Sequence, residues 1–205
     1  VNGSVVKKGN QKVTSTDLVC VDGIPVQSEP PVYLWHKPVG VHSTVGDPLG
    51  RLSISECEPN VLLPRYHPVG RLDADTSGLL LFSQVGALTQ RLLHPKHEIP
   101  RRYRVCSEAV FTVDHQQRLE AGVTTSLGVF SGKVVSLENN ELELIVTEGK
   151  HRMVRRMLAN VERPVVALVR LSYGPFELGA LSPGELRTPT LEETQEAKRL
   201  GLPGF

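Results

Sequence analysis

Residues 70–83 read GRLDADTSGLLLFS, in which two aspartates beside an arginine are followed by a run of apolar residues. The segment Leu79–Phe82 has the length and composition of a buried strand. Residues 75–77 are Asp, Thr and Ser, whose side chains commonly bond their own backbone in turns. The stretch therefore predicts a polar turn that leads into a buried strand. Asp73 lies at the junction, where one side of a carboxylate can be shielded and the other directed at a ligand.

Outward from this stretch, β-branched, aromatic and leucine-rich segments predict strands, and capped segments between them predict helices. The mixed order of these elements favours an α+β fold with a mixed, largely antiparallel sheet flanked by helices. An antiparallel hairpin is expected to turn at Asn139–Asn140. The predicted strands are Val32–Trp35, Gly78–Ser83, Arg102–Ser107, Val129–Leu137, Glu141–Thr147 and Val165–Leu171. The predicted helices are Ala87–Leu93, Asp114–Ala121 with Asp114 as N-cap, His151–Ala159, and Leu191–Leu200 with a Thr190/Glu193 capping box.

The first 31 residues differ from the rest of the chain in how closely turn-forming residue pairs are spaced. Short Val-rich pieces alternate with Asn-Gly, Gly-Asn and Asp-Gly pairs, which is typical of strands joined by tight turns. The sequence SEPP at 28–31 predicts a stiff connector, because proline removes backbone donors and restricts the chain. We therefore expect a small β unit over 1–31 and a second domain over 32–205.

Composition excludes several classes of protein. The chain has 205 residues, of which 40% are hydrophobic and 22% charged, as in ordinary globular proteins. No apolar run approaches the roughly 18 residues of a membrane span, and no signal peptide is recognisable. The three cysteines lie far apart, which favours neither a disulfide framework nor a zinc site. His94 and His97 have metal-ligand spacing but no obvious third ligand.

The net charge of +1 conceals an uneven distribution. Residues 148–170 contain six basic and two acidic side chains, whereas residues 176–205 contain three basic and five acidic ones. A concentrated basic stretch suits a polyanionic partner such as RNA, although it also suits a solvated helix face.

Five blocks carry a resemblance to a known family: HKPVGVHST (36–44), GRLDADTSGLLLFS (70–83), LLHPKHEIPRRYRV (92–105), EGKHRMVRRML (148–158) and VRLSYGPFELGALSPGE (169–185). In this order they resemble the RsuA-like family of ribosomal RNA pseudouridine synthases, over about residues 33 to 188. The opening β unit resembles the second half of the S4-type RNA-binding domain that usually precedes this catalytic domain. The resemblance implies a pseudouridine synthase fold with a central RNA-binding cleft.

The resemblance also implies a reaction and a set of site residues. A uridine is isomerised to pseudouridine without a metal or other cofactor, and Asp73 supplies the required carboxylate. Tyr103 matches the tyrosine that packs against the target base, Lys150 the cation that pairs with the aspartate, and Leu168, with its neighbour Val166, an aliphatic position that seals the pocket. The implied RNA contacts are Arg71, Lys37, Arg102, Arg152, Arg155, Arg156 and Arg170.

The implied partner is ribosomal RNA or a pre-ribosomal particle, and we expect a free monomer that does not associate with membranes. The expected location is the bacterial cytoplasm or an organelle. One alternative is a ribosome-assembly or RNA-binding factor that keeps the fold while its catalysis is dispensable. Another is an acid/base hydrolase that uses Asp73 and Asp75 as a carboxylate pair, although their spacing on one turn leaves little room to straddle a bond.

Overall fold

The computed structural model describes residues 1–7, 9–13, 17–25, 29–57, 59 and 65–205. The chain divides into two compact units, residues 1–30 and 31–205. This division lies beside the boundary predicted near residue 32. Ser28, where the predicted connector begins, is outside the described residues. The interpretation of the first unit as part of an S4-type domain stays a prediction.

The described part of the first unit contains a small antiparallel ribbon. Strands β1 (Cys20–Val21) and β2 (Ile24–Pro25) pair with each other. Asp22 and Gly23 connect them, at the Asp-Gly pair for which the sequence predicts a tight turn. Near the start of the unit, the Asn2 side chain donates to Asp17 at 2.8 Å and accepts from the Leu18 amide at 2.8 Å.

The second unit is built on a mixed sheet whose described strands number nine. They are β3 (Val32–Lys37), β4 (His67–Pro68), β5 (Ser77–Ser83), β6 (Arg101–Ser107), β9 (Lys133–Glu138), β10 (Glu141–Val146), β11 (Val165–Tyr173), β12 (Phe176–Glu177) and β13 (Leu186–Arg187). Seven follow the order β13-β3-β5-β11-β6-β10-β9, while β4 pairs with β5 and β12 with β11. The β5–β11 pairing is parallel and the other described pairings of this sheet are antiparallel. The predicted mixed, largely antiparallel sheet is confirmed.

Strand β5 is buried on both faces of this sheet. Leu80 and Phe82 belong to one hydrophobic cluster, and Leu79 and Leu81 belong to the other. Successive side chains of a strand point to opposite faces, so each face of β5 is covered by its own layer. This two-sided burial explains why the sequence is continuously apolar here instead of alternating.

Four helices provide the covering layers within the described residues: α1 (Gly86–Leu93), α2 (Val113–Ala121), α3 (Met153–Asn160) and α4 (Leu191–Arg199). Leu119 of α2 and Leu158 of α3 belong to one cluster, whereas Leu88 of α1 and Ala197 of α4 belong to the other. Short 3-10 turns also occur at Ile54–Glu56 and Pro95–His97. Helices therefore lie on both faces of the sheet, as layered packing requires.

The helix boundaries correct two expectations. Helix α2 is capped by Thr112 and not by Asp114, because the Thr112 hydroxyl and backbone amide both lie against the His115 ring nitrogen, at 2.7 and 3.0 Å. Helix α3 begins at Met153 and not at His151, because Arg152 at its N-cap has a left-handed φ of 53°. The capping box of α4 is confirmed, since the Thr190 hydroxyl accepts from the Glu193 amide at 3.1 Å.

One predicted strand is two separate strands. The segment Val129–Leu137 divides into β8 (Gly128–Phe130), which pairs with β7 (Val123–Thr125), and β9, which pairs with β10. Between β8 and β9 the chain passes from the β7–β8 ribbon to the large sheet. The expectation of one continuous strand is therefore wrong. The hairpin at Asn139–Asn140 is confirmed by the pairing of Glu138 with Glu141.

The helices of the described residues all lack the combination of length and apolar character that crossing a lipid bilayer requires.

Gly78 permits the closest approach in the centre of the sheet. It lies at the start of β5 with φ of 105°, opposite Arg170 of the parallel strand β11. A Cβ atom at this position would come within 2.4 Å of the Arg170 carbonyl oxygen, which is backbone and cannot swing aside. Only glycine combines that φ with so close a neighbour.

Gly78→Ala is therefore expected to lower the free energy of unfolding by at least about 2 kcal/mol, through backbone strain and displacement of β11. Urea unfolding measures the change. Gly86→Ala is the matched control, since a Cβ there meets nothing within 4 Å. Equal unfolding midpoints for the two variants would contradict the close packing of β5 against β11.

Candidate active site

A cavity of about 290 Å³ opens beside the segment that precedes β5. It brings together residues from five separate parts of the second unit: the 69–76 segment, the end of α1, β6, β11, and the 148–155 segment that leads into α3 and includes its first turn. The predicted site residues that line it are Arg71, Asp73, Tyr103, Lys150, Arg152, Arg155, Leu168 and Arg170. Sequence reasoning thus selected a group of residues that the fold places around one space.

Sheet pairing explains why these residues converge. Strand β11 lies between β5 and β6, so that Arg170 is opposite Gly78 on one side and Tyr103 on the other. The loop that carries Asp73 enters β5 at this level. Tyr103 is 8% exposed and Leu168 is 6% exposed, so the wall they form is largely shielded from solvent. The Asp73 side chain remains 33% exposed at the cavity.

The two aspartates of the loop have different partners. The Arg152 guanidinium binds both carboxylate oxygens of Asp75, at 3.1 and 2.8 Å, and approaches Asp73 at 3.8 Å. The Arg155 Nη2 atom donates to the Asp75 backbone carbonyl at 2.7 Å. The hydrogen bond from Arg152 lowers the pKa of the Asp75 carboxyl. Asp75 therefore anchors the start of α3 to the loop, a role that the sequence interpretation of Asp75 as a turn residue missed.

The structure corrects the predicted pairing of Lys150 with Asp73. Lys150 is exposed and lines the same cavity, but the two side chains form no ion pair in the described part of the chain. Arg152 takes the position nearest to Asp73 instead. Arg152 lies at the N-cap of α3 with a left-handed backbone, and its guanidinium contacts both aspartates of the 70–76 loop.

Lys37 is placed inside the fold and not on a phosphate-binding surface. The residue is fully buried, and its Nζ atom donates to the carbonyl oxygens of Pro38 and Val41, both at 2.8 Å. Desolvation by this burial lowers the pKa of Lys37 to about 8, against the opposing influence of Asp73 and Asp75. The expected contact of Lys37 with RNA is therefore wrong for this conformation, since the amino group is already used by the backbone.

Arg102 is also directed away from the cavity. It bonds Glu143 at 3.3 Å and Glu177 at 2.8 Å on the other face of the sheet. Its neighbour Arg101 lines the cavity, is buried, and donates to the Tyr173 hydroxyl at 2.8 Å. Strand alternation was the available signal, because an inward Tyr103 requires an inward Arg101 and an outward Arg102.

The remaining predicted contacts divide by exposure. Arg71 is exposed at the cavity, whereas Arg170 is buried and donates to the Leu79 carbonyl at 2.7 Å. Arg156 lies outside the lining and donates to the Ser126 hydroxyl at 2.7 Å. Val166 is 59% exposed and also lies outside the lining, so it does not seal the cavity as Leu168 does.

The geometry weighs against a hydrolytic carboxylate pair. Both carboxylate oxygens of Asp75 are bonded to Arg152, so only Asp73 of the two is directed at the cavity without a hydrogen-bonded arginine. Among the described residues, no group of three His, Cys, Asp or Glu side chains has the arrangement of a metal site. His94 and His97 contact each other at a ring separation of 5.8 Å.

Comparison with known proteins identifies the family of this chain. The sequence model of the RNA pseudouridylate synthase family matches residues 31–160, which include the 70–76 loop, β6 and α3. The chain belongs to this family. A ribosomal large subunit pseudouridine synthase B of Bacillus subtilis is 35% identical, with 98% of this chain and 85% of the relative covered.

Two further relatives support the assignment of this synthase. An uncharacterized RNA pseudouridine synthase of Aquifex aeolicus is 35% identical, over 98% of this chain and 84% of that protein. The crystal structure of a pseudouridylate synthase superimposes with a TM-score of 0.75 at 26% identity, covering 97% of this chain and 86% of the other. The predicted pseudouridine synthase fold is therefore confirmed, and the chain is an RNA-modifying isomerase.

The pairing of Asp75 with Arg152 predicts a pH-dependent contribution to stability. A carboxyl whose folded pKa lies below its ordinary 3.8 stabilises the folded state above that pH, and the contribution is lost as pH falls through the folded pKa. Asp75→Asn should therefore lower the free energy of unfolding by about 0.5 to 1 kcal/mol at neutral pH, a modest value because solvent screens a half-exposed pair. The difference from wild type should shrink toward zero as the pH falls below 3.8 and through the lowered pKa of the folded protein.

Urea unfolding of both proteins at neutral pH and at a series of pH values below 3.8 measures this difference. Asp114→Asn is the control, because Asp114 is 70% exposed and its approach to Arg118 is 3.8 Å. A pH-independent difference for Asp75→Asn would contradict the ion pair as its cause.

Proposed function

We propose that this synthase isomerises a specific uridine of ribosomal RNA to pseudouridine, with Asp73 as the catalytic carboxylate. The observation that carries the proposal is the cavity in which Asp73 faces Tyr103 and Leu168. Its volume of about 290 Å³ lies just below the roughly 300–1,000 Å³ of ligand pockets. This volume suits a small ligand group such as a single base. The names of the relatives favour large-subunit RNA as the first substrate to test.

The reaction requires one carboxylate and a sheltered space. The bond between ribose C1′ and uracil N1 breaks, the uracil turns, and a bond forms between C1′ and C5, after which the C5 proton is lost and N1 gains one. Asp73 acts either as the nucleophile at C1′ or by assisting deprotonation of the ribose. Arg152, at 3.8 Å, offsets part of the negative charge of Asp73 without forming a hydrogen bond that would occupy it.

Tyr103 and Leu168 would hold the extruded base. Stacking of a base on an aromatic ring contributes about 1–3 kcal/mol. That amount offsets a large part of the few kcal/mol that extrusion of a nucleotide costs. Both side chains are largely buried, so the base would be shielded from water while its glycosidic bond is open.

The exposed cations around the opening would hold the RNA backbone. Arg71 and Lys150 are exposed at the cavity, and Arg152 is half-buried beside them. Such contacts release counterions, so their contribution falls steeply with salt. An RNA substrate within the ribosome would place the activity inside a bacterial cell or an organelle.

Asp73→Asn tests the catalytic assignment. We expect the variant to bind RNA like wild type but to lose at least about 10³-fold in rate, because the amide can neither attack C1′ nor accept a proton. The measurement is tritium release from transcripts of large-subunit and small-subunit RNA that carry uridine labelled at C5. Asp114→Asn, an exposed carboxylate on α2, should keep the wild-type rate.

Release by Asp73→Asn at the wild-type rate would refute the role of Asp73. Tight and specific binding of ribosomal RNA by a wild-type protein that releases no tritium would instead favour the ribosome-assembly alternative.

Arg71→Gln tests the proposed RNA-binding rim. Loss of one phosphate contact should weaken binding and reduce the slope of log K against log salt by about 0.7 to 0.9. Arg199→Gln is the control, because Arg199 lies on α4 and pairs with Glu196 at 2.6 Å. Fluorescence anisotropy over a salt series measures both variants, and an unchanged slope for Arg71→Gln would remove Arg71 from the interface.

A further inference from the structure

The loop that follows β3 holds the backbone on both sides of Asp73. The Ser43 hydroxyl donates to the carbonyl oxygen of Leu72 at 2.7 Å and accepts from the amide of the same residue at 3.1 Å. Three residues earlier, the Gly40 amide donates to the carbonyl oxygen of Ala74 at 2.7 Å. The residues immediately before and after Asp73 are therefore both bonded to the 38–43 loop.

The 38–43 loop is itself held from beneath. Lys37 ends β3 inside the core, and its two hydrogen bonds bring the carbonyl oxygens of Pro38 and Val41 together. Gly40, between them, has φ of 90°, which places its amide toward Ala74. A buried amino group and the end of β3 therefore hold the shape of the 38–43 loop.

Ser43 is the member of this support whose side chain contacts the Asp73 segment. It is 7% exposed and Leu72 is 5% exposed, so water does not substitute for either hydrogen bond. Ser43 is not among the residues that line the cavity, and its hydroxyl is bonded to Leu72, which does line it. The structure therefore connects Ser43 to Asp73 through the backbone of Leu72.

We propose that Ser43 is a positioning residue that fixes the catalytic carboxylate by bonding both backbone groups of Leu72. This inference rests on the proposed function, since it assigns to Ser43 the placement of Asp73 for that reaction. Catalytic groups must be held close to their productive geometry, and a displacement of about 1 Å can reduce a rate about 100-fold. Removal of the hydroxyl leaves the Leu72 amide and carbonyl without their partner and allows the 70–76 loop, which carries Asp73, to shift.

Ser43→Ala, Ser43→Thr and Ser83→Ala form the test. Ser83 is the matched control because it is also buried and has two hydrogen bonds, to the Pro31 carbonyl at 2.7 Å and from the Val85 amide at 3.0 Å. It lies at the far end of β5, outside the cavity lining. Tritium release gives kcat and KM, thermal unfolding gives stability, and NMR hydrogen exchange reports the Leu72 amide.

We expect Ser43→Ala to differ from both Ser43→Thr and Ser83→Ala. Ser43→Ala should lose about 10- to 100-fold in kcat with little change in KM, and its Leu72 amide should exchange at least about tenfold faster. Ser43→Thr, which keeps a hydroxyl, should retain kcat to within about threefold, as should Ser83→Ala. A kcat of Ser43→Ala within about twofold of wild type overturns the proposal, and so does an equal loss in Ser43→Ala and Ser83→Ala at equal stability.

The hydrogen-exchange measurement distinguishes failure of this inference from failure of the proposed function. A wild-type protein that releases no tritium from either transcript refutes the proposed function, and Leu72 exchange then decides the role of Ser43. Faster exchange in Ser43→Ala but not in Ser83→Ala supports positioning of the Asp73 segment by Ser43, and unchanged exchange overturns it.

Discussion

The two-sided burial of β5 is the constraint on which the rest of the second unit depends. Leu79 and Leu81 pack into one layer while Leu80 and Phe82 pack into the other, so the strand can lie only at the centre of the sheet with helices on both faces. A central strand begins in the interior, and the polar loop that enters it is therefore held against neighbouring strands. That loop carries Asp73, so the core determines where the carboxylate lies.

The two aspartates of the 70–76 loop contact the same arginine but have different roles. Asp75 binds Arg152 through both carboxylate oxygens and thereby fixes the start of α3. Asp73 receives the same arginine at 3.8 Å and stays directed at the cavity. Arg152 thus has a structural role and a role in the proposed chemistry. Its two hydrogen bonds to Asp75 set the orientation of the guanidinium group, which in that orientation also approaches Asp73. The backbone around Asp73 is held separately, by Ser43 and Gly40.

Much of this arrangement was predictable from local patterns. The apolar run of β5, the Asn139–Asn140 hairpin and the α4 capping box depend on neighbours in sequence, and all three are present. The motif blocks also identified the residues around the cavity. The errors at the site concern side-chain direction: Lys37 is buried, Arg102 faces Glu143, and Arg152 replaces Lys150 beside Asp73. Arg102 and Arg152 contact carboxylates that are distant in the chain, whereas Lys37 bonds Pro38 and Val41 nearby and is buried by the packing of the sheet.

The sequence by itself determined the fold class, the family resemblance and the residue types available for chemistry, since strand burial, turns and caps are encoded within a few residues of each other. Only the tertiary structure decided which cations reach the cavity and which residues hold the Asp73 loop. The bonds of Ser43 to Leu72 span 29 residues, and that of Arg152 to Asp75 spans 77. Such contacts follow from the pairing of strands and the packing of layers, because no periodicity or spacing in a single sequence specifies the partner of a long-range hydrogen bond.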